Sequence, residues 1–124
     1  MRPQTVITLL CTLGMLACST TQGTHVKKSR YSRNHIHSEE IKVSMGATAY
    51  DLIRNSRSYW LRGRGINSPS VPVVYVNGVR EGDLYVLSSI GTAHVEKIQF
   101  FNSAEAFIRF GPDCPAGVIS VTIN

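Results

Sequence analysis

Three groups of side chains in this sequence have types and spacings that can do chemistry. His35 and His37 flank Ile36, and residues two apart on a strand point to the same side, so the pair can offer two imidazoles to one metal ion. A catalytic zinc site takes three protein ligands, and His25 and His94 stand at no spacing that supplies the third. The expectation is a polar strand edge or tether end, with no metal and no cofactor. Cys114 lies between Asp113 and Pro115 with no histidine close in sequence, whereas a cysteine nucleophile needs a base or positive charge that lowers its pKa. A turn residue is the expectation there. Arg54, Arg57, Arg62 and Arg64 gather four guanidinium groups in one short stretch, and such groups pair bidentately with carboxylate or phosphate. They form the candidate binding surface, weighed against a solvated and self-paired one, because exposed ion pairs contribute little. Paired carboxylates, a nucleophile with its base and a phosphate loop are not recognisable, so the chain reads as a non-enzyme.

The elements that must position these groups follow from periodicity. Glu40–Ser44 alternates Ile41 and Val43 against Lys42, as a short half-buried strand or lead-in segment does. Thr48 followed by Asp51 starts a helix near 48–57 whose apolar face is Ala49, Leu52 and Ile53 with Tyr50. Ser58–Arg62 is β-prone and runs into Gly63-Arg64-Gly65. Val71–Val76 is almost continuously apolar and β-branched, which predicts a central strand buried on both faces, and Asn77-Gly78 is a strong turn signal. Asp83 is placed to cap a helix carrying Leu84, Leu87 and Ile90 up to Gly91. His94–Phe101 predicts a strand with Glu96, Ile98 and Phe100 on one side. Asn102 and Glu105 bracket the start of a helix with Phe107 and Phe110, stopped by Gly111 and Pro112. Val118–Ile123 alternates Ile119, Val121 and Ile123 against Ser120 and Thr122. The fold class is therefore α+β, a small mixed sheet with two to three short helices.

Charge and hydropathy divide the chain further. Of 124 residues, Val6–Ala17 are a continuous run dominated by apolar side chains after a positive Arg2, a secretory leader too short to span a bilayer as a helix of about 20 residues. The formal charge of +5 is concentrated in 25–37, where Lys27, Lys28, Arg30 and Arg33 meet no acid, while from Ser38 onward eight basic and eight acidic residues balance. Export sets aside the nucleic-acid reading of that basic stretch, whose polar composition predicts a disordered tether over 18–37 ahead of a domain at 38–124. The stretch Leu13–Cys18 resembles the lipobox of bacterial lipoproteins, with Met15 departing from its usual Leu. That resemblance implies a signal peptide over 1–17, lipid on Cys18 and a membrane as partner.

The order of blocks in the domain is similar to the plug domain of TonB-dependent outer-membrane receptors. Val73-Val74-Tyr75-Val76-Asn77-Gly78-Val79 matches a hydrophobic strand ending in Asp-Gly-Val, with Asn77 in place of Asp. Val95-Glu96-Lys97-Ile98-Gln99-Phe100 matches the next strand, and Phe110-Gly111 with Gly117-Val118-Ile119-Ser120-Val121-Thr122 matches the closing turn and strand. Tyr50-Asp51-Leu52-Ile53 and Arg62-Gly63-Arg64-Gly65 look like the upstream helix and Arg-Gly segment, while Cys114-Pro115 departs from a glycine-containing turn. The resemblance implies a plug-like fold without the barrel, in a lipid-anchored binding or interaction module of the cell envelope. The alternative is a stand-alone plug, or the remnant of a receptor, that pairs with a separate outer-membrane barrel in TonB-dependent uptake. No TonB box is recognisable in the tether.

Overall fold

The computed structural model describes residues 32–63 and 70–124. Five strands form one mixed sheet: β1 (His35–Ile36), β2 (Val73–Val76), β3 (Val79–Gly82), β4 (Val95–Phe101) and β5 (Val118–Ile123), in the spatial order β1-β4-β5-β2-β3. Helices α1 (Ser38–Val43), α2 (Ala49–Arg57) and α3 (Ser103–Phe110) accompany it, with 3-10 turns at Ser58–Leu61, Leu84–Ser88 and Thr92–His94. Among the described strands only β2 and β5 run parallel. The other three pairings are antiparallel.

Strand alternation decides which side chains meet. On β5, Ile119 and Val121 enter the larger core, while Val118 belongs to a smaller one on the opposite face. Val74 of β2 joins the larger core and Val73 the smaller. Asn77 (φ 47°) and Gly78 (φ 82°) are both left-handed, the backbone of a two-residue hairpin that turns β2 into β3. Asn77 does more than turn the chain, because its Oδ1 accepts from Ile123 N at 2.9 Å and its Nδ2 donates to Ile123 O at 3.2 Å. Asp carries no amide donor, so Asn alone can satisfy both groups at this point.

The larger core is covered by α2 and two of the 3-10 turns. Thr48 caps α2, its hydroxyl accepting from Asp51 N at 3.2 Å, and Ala49, Leu52 and Ile53 are fully buried beneath it. Trp60 is also fully buried, its ring stacked on Phe100 at 5.5 Å. The Trp60 indole N–H and the Tyr59 hydroxyl both donate to Arg33 O, at 3.2 and 2.6 Å, which fastens the segment ahead of β1 to the helical layer.

Several expectations are corrected. Glu40–Ser44 lies in α1 and its C-cap, because Ile41 is buried but Val43 is exposed, so the two do not share a strand face. Ser58–Leu61 continues α2 as a 3-10 turn, which swings Trp60 inward. Leu84–Ser88 is 3-10 and not α, and the Asp83 side chain makes no cap bond. In β4 a bulge between Val95 and Lys97 puts Val95 and Ile98 together in the larger core and leaves Glu96 exposed. His35 and Ile36, assigned to the tether, pair with Gln99 and Ile98, and Ile36 is fully buried. Past the Asn77-Gly78 turn the chain adds the edge strand β3, whose residues Val79–Gly82 carry no strand periodicity of their own.

On the opposite face, α3 starts with a reciprocal capping box: Asn102 Oδ1 accepts from Ala104 N and Glu105 N, and Glu105 returns to Asn102 N at 3.1 Å. Ala106 and Phe110 hold it to the sheet, whereas Phe107 is exposed. The turn after α3 closes at Gly117 (φ 101°), where an added Cβ would overlap the Phe101 carbonyl oxygen. We expect Gly117→Ala to lower unfolding free energy by about 3 kcal/mol or more, since strain and overlap act together. Gly78→Ala, with open space around it, costs only about 1 kcal/mol. Urea titrations of the two variants check the contrast.

Candidate binding site

The sheet register assembles a site that no single segment contains. His35 pairs with Gln99, Gln99 with Ser120, Ser120 with Tyr75, and Tyr75 with Arg80. Directly paired residues point to the same side, so these five side chains form one row across all five strands, on the face opposite the larger core. A second, shorter row pairs Lys97 with Thr122. His35, Gln99, Ser120, Tyr75 and Thr122 are half-buried, and Arg80 and Lys97 are exposed.

Among the described residues only one end of this face is roofed. There α3 and the turn after it cover Val73, Phe101 and Val118, and Phe110 packs against Tyr75 (4.5 Å) and Phe101 (5.3 Å). The Arg109 guanidinium lies over the Phe101 ring at 5.0 Å. Between α3 and the β1–β4 edge runs a groove of about 290 Å³, lined by His35, Gln99 and Phe101 of the sheet and Glu105, Ile108 and Arg109 of the helix. Polar floor, aromatic wall and a lip of exposed Ile108 give it the mixed character of a ligand groove.

The residues singled out from the sequence fare differently. Cys18 and Arg64 lie outside the described residues. Arg57 is held within the fold: Nη1 stands 3.0 Å from Glu40 Oε1, and Nη2 reaches Glu40 Oε2 at 3.3 Å and Ser32 O at 3.1 Å. Both side chains of this pair are nearly buried, at 11 and 12 % exposure. Arg54, one turn earlier on α2, is exposed beside Asp51 at 3.6 Å, and Arg62 is exposed past the 3-10 turn. Of its three described members, the cluster thus has one arginine that joins α1 to α2 and two, Arg54 and Arg62, that face solvent.

His35 and His37 do come together, with ring centroids 5.7 Å apart and edge to face. Among the described residues no group of three or more His, Cys, Asp or Glu side chains is placed to hold a metal ion. Burial, then His37 and then Lys97, push the His35 pKa below its ordinary value. Cys114 is buried in the smaller core beside Val73, Phe101, Ala106 and Val118, so it is a packing residue as well as part of a turn. Burial raises its thiol pKa despite Arg80 nearby, the opposite of what activates a nucleophile.

Sequence reasoning missed Gln99, Tyr75, Ser120 and Arg80 as one site. The polar positions of β5 were visible as an alternation, but their partners depend on long-range register. In comparisons with known proteins, no family model matches this chain and no curated protein matches it.

Arg57→Met or Glu40→Leu alone leaves a nearly buried charge without its partner and should cost about 2 kcal/mol, after discounting the several kcal/mol typical of full burial. The double variant should recover most of that loss, as a double-mutant cycle in urea would show. For His35, the unfolded chain takes up a proton near pH 6.5 while the folded chain resists it. Stability is therefore highest above that pH, declines as pH falls through it, and levels once folded His35 is protonated. His35→Gln should flatten this decline in melts between about pH 7.5 and 5.5.

Proposed function

We propose that this chain is a non-catalytic, lipid-anchored binding or interaction module of the bacterial cell envelope, plug-like in its domain and held to the membrane through Cys18. The observation that carries the binding reading is the polar row, five side chains from five strands on one face of the sheet, which α3 covers only at one end among the described residues. Support for the envelope comes from the sequence, where an apolar leader ends at Ala17-Cys18 and a basic segment follows. Lysines and arginines in such a segment each add about 1 kcal/mol of attraction to an anionic lipid surface. The order of plug-like blocks from Tyr50 to Thr122 supports a role beside outer-membrane proteins. A receptor barrel, a protein of another kind or a glycan can each be the partner of such a surface.

Metabolic labelling with palmitate is the direct test of anchoring. The full chain should incorporate label into the membrane fraction, and Cys18→Ser should lose both the label and most of the membrane association. An unlabelled, soluble wild-type chain would refute the anchor. Cross-linking in cells under uptake-inducing conditions then separates the two partner readings: a co-purifying barrel supports participation in TonB-dependent uptake, and its absence favours the independent module.

A further inference from the structure

The row on the open sheet face is suited to a particular ligand chemistry. Its centre, Gln99, Ser120 and Tyr75, consists of groups that both donate and accept hydrogen bonds. Its margins are cationic, with Arg80 on the edge strand β3 and Lys97 on β4 beside the histidine of β1. Neither row contains an acid. The nearest carboxylate of the groove wall, Glu105, is engaged by the Asn102 backbone N–H at 3.1 Å. None of the polar side chains of Gln99, Ser120, Tyr75, Arg80, Lys97 or Thr122 makes a hydrogen bond among the described residues. Their hydrogen-bonding groups are therefore unspent among the described residues, and the row spans roughly 19 Å at the usual strand spacing.

We infer that this face binds a linear acidic glycan, a carbohydrate chain bearing carboxylate groups, laid across the strands from the α3 groove toward β3. Sugar hydroxyls, which donate and accept at one atom, match the amide and hydroxyl groups at the centre of the row. Carboxylates match Arg80 and Lys97, and the apolar face of a sugar ring matches the half-buried Tyr75 and Phe110 rings. A peptide strand would instead seek unpaired backbone groups, which lie at the sheet edges and not on its face. On the side of β3 that edge is short, irregular and carries Arg80 and Glu81. This inference rests on the binding reading above but not on the lipid anchor, so loss of the palmitate label leaves it standing.

The test is titration calorimetry of the purified full chain with oligogalacturonate, with its methyl ester, and with poly-glutamate of matched charge. The acidic glycan should bind, and the ester should bind at least about tenfold more weakly, the change expected when charged hydrogen bonds are lost. Arg80→Gln, Lys97→Gln and Gln99→Ala should each weaken it, while Lys42→Gln on α1 should not. Melting curves confirm that each variant is folded, and Gln99→Glu, which places a negative charge in the row, gives a second route to the same loss. Absence of binding, equal affinity for poly-glutamate, or indifference to the row variants overturns the proposal.

Discussion

The position of β5 is the constraint on which the rest of the structure depends. It lies at the centre of the sheet, antiparallel to β4 and parallel to β2, so the two halves pair as strands only through it. The two halves consist of β1 with β4 and of β2 with β3. Neither half has enough paired strands or buried surface to be stable by itself in water. Val118, Ile119 and Val121 are fully buried, and they supply apolar surface to both faces of the sheet at once. The Asn77 side chain then closes the far end of β5 by bonding both backbone groups of Ile123, doing at the turn what a neighbouring strand does elsewhere.

The helical layer is attached to this sheet by interactions of different kinds at its two ends. Trp60 provides a large apolar area against Phe100, and its N–H finds Arg33 O, so the buried indole leaves no donor unmet. Nearby, the Arg57–Glu40 pair joins α2 to α1 and reaches Ser32 as well. A hydrophobic contact alone would tolerate sliding. The charged pair and the shared carbonyl add directional contacts beside the short β1, which pairs His35 with Gln99 and Ile36 with Ile98.

The two faces of the sheet have unequal cover, and this inequality makes a site. α2 and the 3-10 turns seal the larger core, whereas α3, only eight residues long, shields little more than Val73, Phe101 and Val118. Beyond its reach the sheet keeps polar side chains in a row instead of a third hydrophobic cluster. Antiparallel sheets commonly leave one face wet, and here the half-buried polar face is bounded, among the described residues, by aromatic rings and a groove. The bulge in β4 contributes by turning Val95 and Ile98 into the core together, which keeps Lys97 outside and Gln99 in the row.

Local chemistry was legible in the sequence wherever a few neighbouring residues decide the outcome. The Thr48 and Asn102 caps, the Asn77-Gly78 turn, the alternation of β5 and the α+β class all depend on contacts within a few positions, and they are where the residue types put them. Short segments with ambiguous patterns were not legible. Ile41 and Val43 imitate strand alternation but belong to a helix, and Ser58–Leu61 has β-prone residues yet extends α2, because burial of Trp60 outweighs propensity. The bulge in β4, the capture of Arg57 by Glu40 and the alignment of His35, Gln99, Ser120, Tyr75 and Arg80 were decided only by the tertiary structure. Each joins residues far apart in the chain, and such pairings depend on strand register and packing that no local pattern encodes.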